Sequence, residues 1–159
     1  MFKILDSIDN ISIISAYLNL EKDLVWTEYG HKGKQTGLQH KIGEDPWTSA
    51  VGKGREQEIE FNVLNPFFSN TIFESLIDKY QLTRTRLMWL NPFACYSLHL
   101  DDSERVHIPL ITNSDCLFIF SDISPFHLPV GHAYVVDTRK KHSFANFSDK
   151  PRLHLVGNL

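Results

Sequence analysis

From residue 84 onward the chain is a series of short β-prone runs, each stopped by a turn. Residues 84–90, 94–100, 106–112, 116–120, 132–137, 143–147 and 153–156 read as strands. Asn91-Pro92, Asn113-Ser114-Asp115, Pro125, Pro129-Val130-Gly131 and Asp149-Lys150-Pro151 separate them. Runs this short, with turn residues between them, predict two sheets packed face to face: a mainly β (α+β) domain, a double-sheet jelly roll with flanking N-terminal helices. The expectation is one domain over residues 1–159. Residues 1–83 form its helical and loop part with a lid, and residues 84–159 its jelly-roll core.

The first half carries fewer strands. Residues 10–20 place Ile11, Ile14, Tyr17 and Leu18 at helical spacing, which predicts a short amphipathic helix on the outside of the core. Residues 24–27 are a short β-prone run. Residues 30–54 hold seven glycines and prolines and read as loops and hairpins with at most short strands. The long stretch 29–55 is a candidate lid or substrate wall. Residues 58–63 alternate polar and apolar and predict a strand. Residues 71–80 predict a second helix, with Thr71 and Glu74 as a capping box and Ile72, Phe73, Leu76, Ile77 and Tyr80 as its apolar face.

Composition narrows the class of function. Formal net charge is −3 and no long basic run is present, so there is no electrostatic footprint for nucleic acid. No apolar run has the length of a membrane span. Asp6 and Asp9 interrupt the apolar core a signal peptide needs. The two cysteines, Cys95 and Cys116, are too few for a disulfide framework and read as free thiols. The expected setting is cytoplasmic, with no membrane and no nucleic-acid partner.

The chemistry concentrates between His99 and Arg152. Residues i and i+2 on a strand share a side, so His99 and Asp101 can reach one point. His142, from a distant strand, completes a set of two nitrogens and one oxygen, the facial pattern of non-haem Fe(II) oxygenases. The same parity aligns Arg105 with His107, Arg152 with His154, and His142 with Phe144 and Asn146. A charged interior is costly unless its charges are paired or hold a metal. Two histidines and one aspartate also suit Zn²⁺ with an open water position, and a metal- or acid-binding module without turnover is a further reading. His31, His40, His127, His132 and His154 read as surface or packing residues, and Trp26, Trp47 and Trp89 as core or pocket wall.

Arg84-Thr85-Arg86-Leu87-Met88, the segment from Cys95 to Asp101, Arg105-Val106-His107-Ile108-Pro109-Leu110, Gly131, His142, Asn146 and Arg152 together resemble the aspartyl/asparaginyl β-hydroxylase family over residues 84–157. That family is a branch of the Fe(II)- and 2-oxoglutarate-dependent oxygenases with a double-stranded β-helix, cupin-like fold. The resemblance implies iron ligands at His99 and His142. It implies Arg152 on one 2-oxoglutarate carboxylate and Arg105 with His107 at the other. From the residues alone, Arg105 and His107 read equally as groups that orient a ligand, and Asn146 as a further co-substrate contact or as the end of a strand. Some members lack a carboxylate where this chain has Asp101, which restores a full facial triad. A serine that holds the co-substrate in some members falls at Met88, leaving Arg86 or Tyr96 as replacement donors. The implied activity is a dioxygenase that hydroxylates an amino-acid side chain, free or in a peptide. It would use Fe(II) and 2-oxoglutarate with O2, and its partner would be a small-molecule or peptide substrate.

Overall fold

The computed structural model describes residues 2–52 and 57–159. The chain runs β1 (Phe2–Ser7), α1 (Asn10–Leu20), β2 (Thr27–Glu28), β3 (Gly33–Gly37), β4 (Gln39–His40), β5 (Val63–Leu64) and α2 (Ile72–Tyr80). It continues with β6 (Thr83–Leu90), β7 (Arg105–Ile111), β8 (Cys116–Phe120), β9 (Phe126–His127), β10 (His132–Val136), β11 (His142–Asn146) and β12 (Arg152–Asn158). Seven strands form one sheet in the order β1-β10-β7-β12-β6-β3-β2. Strands β11-β8-β9 form a second sheet facing it, and β4 with β5 makes a small ribbon. This is the expected jelly roll. None of the helices is long and apolar enough to cross a membrane among the described residues.

Two apolar layers cover the two faces of the large sheet. Leu87, Val106, Ile108, Leu110, Val135, Leu153 and Leu155 point outward onto Ile13 and Tyr17 of α1 and Phe73, Leu76 and Ile77 of α2. Leu90, Tyr134 and Val136 point inward and meet Phe118, Phe120 and Phe144 of the small sheet. Every residue of β12 is buried, as expected for a central strand covered on both faces. Its outward residues are apolar, and its inward ones include Arg152, His154 and Asn158. A polar inner row in the middle of the fold is what positions the site.

Local chemistry explains the element ends. Asp9 caps α1 by accepting from the backbone N–H of Ile11 and Ser12 at 3.0 and 3.4 Å. Its buried stripe is Ile13 and Tyr17, flanked by Ile14, Ala16 and Leu20, whereas Ile11 and Leu18 lie exposed. The helix is apolar around most of its circumference, so spacing alone does not single out one stripe. In α2 the predicted face is the buried one, but the capping box is shifted. Glu74 accepts from the backbone N–H of Asn70 at 2.6 Å, one residue before Thr71. At the other end Gln81 turns left-handed (φ 52°, ψ 45°).

Three sequence expectations change. Residues 58–63 form a 3₁₀ turn at Glu58–Glu60 and only the short β5, because Glu58 turns inward to pair with Arg84 and Arg105. Residues 94–100 are not a regular strand. They touch β11 through two isolated bridges, Cys95 to Ala145 and His99 to His142. The first 83 residues also supply strands: β1 pairs with β10, and β3 pairs with β6. Gly33 of β3 lies so close to β6 that a Cβ would stand 1.9 Å from the Trp89 carbonyl oxygen. Residues 53–55, the end of the expected lid, lie outside the described residues.

Candidate metal and co-substrate site

Between the sheets a cavity of about 620 Å³ opens at the end of the barrel where His99, Asp101 and His142 stand. These three residues each offer one ligand atom, and the atoms lie within 4.8 Å of one another. The backbone sets their approach. His99 and His142 face each other across a bridge in which each backbone N–H donates to the other's carbonyl at 2.9 Å. The backbone N–H of Asp101 donates to the Thr138 carbonyl at 3.0 Å. The segment that failed to become a strand is thus tied down at the positions that carry the ligands.

The side chains are oriented as ligands require. His99 Nδ1 lies 2.8 Å from the Ser97 carbonyl, and His142 Nδ1 lies 2.9 Å from the Lys140 carbonyl. A carbonyl oxygen only accepts, so Nδ1 carries the proton in both rings and each Nε2 keeps its lone pair. His142 Nε2 stands 3.6 Å from Asp101 Oδ2. Burial, with the neighbouring His99, lowers the His142 pKa and keeps the ring neutral. Burial would raise the Asp101 pKa, but the charge of Arg105 and its hydrogen bond outweigh that and lower it. Two imidazoles, each with Nδ1 on a backbone carbonyl, and one carboxylate therefore face one point.

Arg105 holds this carboxylate in place. Its Nε donates to Asp101 Oδ2 at 2.6 Å, Nη1 to Asn158 Oδ1 at 2.6 Å and Nη2 to Glu58 Oε1 at 2.9 Å. Arg84 also donates to Glu58 Oε1, at 2.5 Å, and Ser103 donates to Glu58 Oε2 at 2.9 Å. Of the two roles read for Arg105, these bonds match orientation of a ligand rather than contact with a co-substrate carboxylate. Glu58, the hub of this network, escaped the sequence reading because its surroundings suggested a strand.

Deeper in the barrel the pattern reverses, and polar side chains stand without hydrogen-bond partners. Arg152 is 2% exposed, its Nε has no hydrogen-bond partner, and its guanidinium lies over the rings of Phe144 and Phe118 at 4.8 and 5.7 Å. Burial pulls its pKa down to about 10. Both ring nitrogens of His107 and of His154 are buried and unpartnered. Burial and the charge of Arg152 hold both imidazoles well below 6.5, hence neutral. A buried polar group left unpaired costs roughly 1–3 kcal/mol, and such groups are rare. His107 lines the cavity; the three together fit an anionic ligand with oxygen acceptors, and the donor set of His99, Asp101 and His142 fits a divalent metal.

A sequence profile of the family described as Aspartyl/Asparaginyl beta-hydroxylase matches residues 15–159. The chain belongs to this family. Over 95 residues it is 34% identical to the L-proline cis-4-hydroxylase of Rhizobium meliloti (strain 1021), a match covering 56% of this chain and 34% of that protein. The chain thus spans about a third of that relative's length. Among solved structures, an oxidoreductase of the 2OG-Fe(II) oxygenase family from Burkholderia pseudomallei superposes with a TM-score of 0.55 at 15% identity, covering 91% of this chain and 76% of that one. A Pseudomonas putida prolyl-4-hydroxylase superposes with a TM-score of 0.54 at 10% identity, covering 99% and 90%. At these identities the superpositions establish the jelly-roll fold.

Within this family member, Asn146 is occupied elsewhere. Its Nδ2 donates to the carbonyls of Asn91 and Lys150 at 3.1 and 2.7 Å, and its Oδ1 accepts from the Ser148 backbone and hydroxyl at 3.0 and 2.7 Å. It closes the β11–β12 turn and does not line the cavity. Tyr96 and Arg86, the donors considered for the Met88 position, do line it. His154 had been grouped with surface and packing residues. It is 2% exposed on the inner row, and its two-residue spacing from Arg152 was the signal for that position. Tyr29 and Gly52, from the stretch read as a lid, reach the cavity wall.

Proposed function

We propose that this chain is an Fe(II)- and 2-oxoglutarate-dependent dioxygenase that hydroxylates an amino-acid side chain, free or within a peptide. The observation that carries this reading is the convergence of His99, Asp101 and His142 at a cavity, in a fold that also buries Arg152 with its Nε unpartnered. His99, Asp101 and His142 would hold the metal facially and leave positions open for the co-substrate and O2. Arg152 would take the distal carboxylate of 2-oxoglutarate, since a guanidinium fork matches a carboxylate. His107, with two free ring nitrogens, would meet the keto-acid end. When bound, iron would activate O2, the oxidant, and 2-oxoglutarate would supply two of the electrons that O2 takes up, leaving as succinate and CO2. The chain's own work is to orient Asp101 through Arg105, to keep His142 neutral by burial, and to exclude water with Phe118 and Phe144.

Arg86 supports a carboxylate-bearing substrate. It lines the cavity and is 5% exposed. Its Nε donates to the Arg84 carbonyl at 3.2 Å and its Nη1 to Gln35 Oε1 at 3.5 Å. Neither acceptor is a carboxylate, so a cation faces the substrate space without a counter-ion in any of its hydrogen bonds. The α-carboxylate of an amino acid would supply one. The proline hydroxylases among the relatives and neighbours favour proline or a prolyl peptide as the first substrates to try.

The test is turnover by the iron-loaded protein with 2-oxoglutarate and O2. Succinate formation is expected, with added product mass of one oxygen atom on the amino acid. His99→Ala and His142→Ala should abolish metal binding and turnover, and Arg152→Ala should raise the 2-oxoglutarate requirement steeply. Metal and keto-acid binding with no consumption of O2 would identify a binding module instead.

A further inference from the structure

The wall of the cavity includes an open strand edge. His99 exchanges two backbone bonds with His142, each of 2.9 Å, and the backbone N–H of Asp101 donates to the Thr138 carbonyl at 3.0 Å. Residues 99 and 101 thus turn their main chain toward one side, and along an extended segment the residues between and before them turn theirs the other way. Among the described residues, no hydrogen bond takes the backbone N–H or C=O of Leu98 or Leu100. Both leucine side chains are 52% exposed, and they alternate with the ligands His99 and Asp101 along the cavity wall. Proteins usually blunt such an edge with charge or proline, whereas the two outward positions here are leucines.

The geometry points to this edge as the docking strand for an extended peptide, which pairs with it antiparallel and presents one residue to the metal centre. This rests on the oxygenase reading for the target residue, not for the pairing. With the target opposite His99, its two neighbours exchange main-chain bonds with Leu98 and Leu100. Residues directly opposite share a face, with Cβ atoms about 4.5–5.5 Å apart. The target side chain then stands beside His99 on the metal side, and its neighbours lie on the leucines, which favours apolar residues there. The target's own N–H points away from the edge, so a proline at that position forfeits no bond. A free amino acid would leave both main-chain pairs open. A carboxylate elsewhere on the peptide would answer Arg86. The edge is part of the cavity wall, so a single segment fits it, whereas a second copy of the chain would have to bring a whole sheet to the same place.

The experiment titrates the Zn(II)-loaded protein calorimetrically with the peptide acetyl-Ser-Val-Pro-Val-Ser, its C-terminal carboxylate free. The peptide should bind, and more tightly than free L-proline. N-methylation of either valine removes a donor to the edge and should weaken binding about tenfold. N-methylation of the last serine, whose N–H faces away from the edge, should change nothing. These arms need no protein variant. Leu98 packs in neither apolar layer, so Leu98→Ser should weaken the parent peptide by about threefold and leave zinc affinity unchanged. No binding of the peptide, tighter binding of free L-proline, equal losses at all three methylated positions, no loss at any, or an unchanged Leu98→Ser each overturns the proposal. Turnover of free L-proline would leave the oxygenase reading standing in those cases. A dimer that the peptide dissociates would give the edge to a second copy and overturn the proposal as well. The expected methylation pattern in a protein that consumes no O2 when iron-loaded would remove the oxygenase reading and keep the docking strand.

Discussion

Asp101 is the ligand most dependent on its surroundings. It follows an irregular segment, and among the described residues its hydrogen bonds run to the Thr138 carbonyl and Arg105. Replacing Arg105 by methionine keeps the volume of the stem and removes the fork. Glu58 would still be neutralised by Arg84, so the loss falls chiefly on Asp101. Metal affinity is expected to fall about 10–100-fold, the usual effect of losing a group that orients a ligand, as read by calorimetric titration. Folding stability should drop by about 3 kcal/mol, because a buried charge loses its partner. At this scale much of the site was legible. Two-residue spacing placed His99 beside Asp101, and Arg152 beside His154, on shared faces. The hydrogen-bond commitments were not legible. Nothing in the sequence says that Arg105 is also consumed by Asn158 and Glu58, or that Asn146 is tied to Asn91, because those partners lie 53, 47 and 55 residues away.

Elements with strong periodicity and capping were the readable ones. Helix α2 has the clear apolar stripe Phe73, Leu76 and Ile77, and the structure buries that stripe. Its C-terminal residue Gln81 adopts a left-handed backbone (φ 52°), which costs a residue with a side chain about 1 kcal/mol relative to glycine. Gln81→Gly should therefore stabilise the chain by about 0.5–1 kcal/mol, seen as a higher urea midpoint with an unchanged slope. The side-chain bond from Gln81 to the Asp78 carbonyl is exposed and offsets little of this. Strands β1 and β3 were hard to read for opposite reasons. In β1, five of the six residues are exposed on a sheet edge, so no alternation shows. In β3, Gly33 and Gly37 look like turn residues, yet Gly33 is required by close approach to Trp89. The segment 94–100 alternates like a strand but is held by only two bridges, leaving Leu98 and Leu100 exposed beside the cavity.

For the whole molecule, the interior between the sheets carries more unpaired polar groups than folding alone would favour. Ligands that fit them should therefore stabilise the chain by mass action. A divalent metal at 100 times its dissociation constant adds about 2.7 kcal/mol, and EDTA should return the melting temperature to its metal-free value. The same interior makes the metal-free chain sensitive to acid. His107 and His154 are held well below 6.5 by burial and by Arg152, so the folded chain keeps both neutral where the unfolded chain takes up protons. Between 6.5 and their depressed values the unfolded state binds more protons, and stability rises with pH. Their contribution is complete above 6.5 and is lost as the pH falls, with a limiting slope of about 1.4 kcal/mol per pH unit for each ring. Urea unfolding of the metal-free protein from pH 7.5 to 5.5 should show this decline. His154→Leu, which removes one of the two rings, should make it shallower. A stability that stays flat across that range, in wild type and variant alike, would mean that these rings are not the neutral, enclosed groups the inner row makes them.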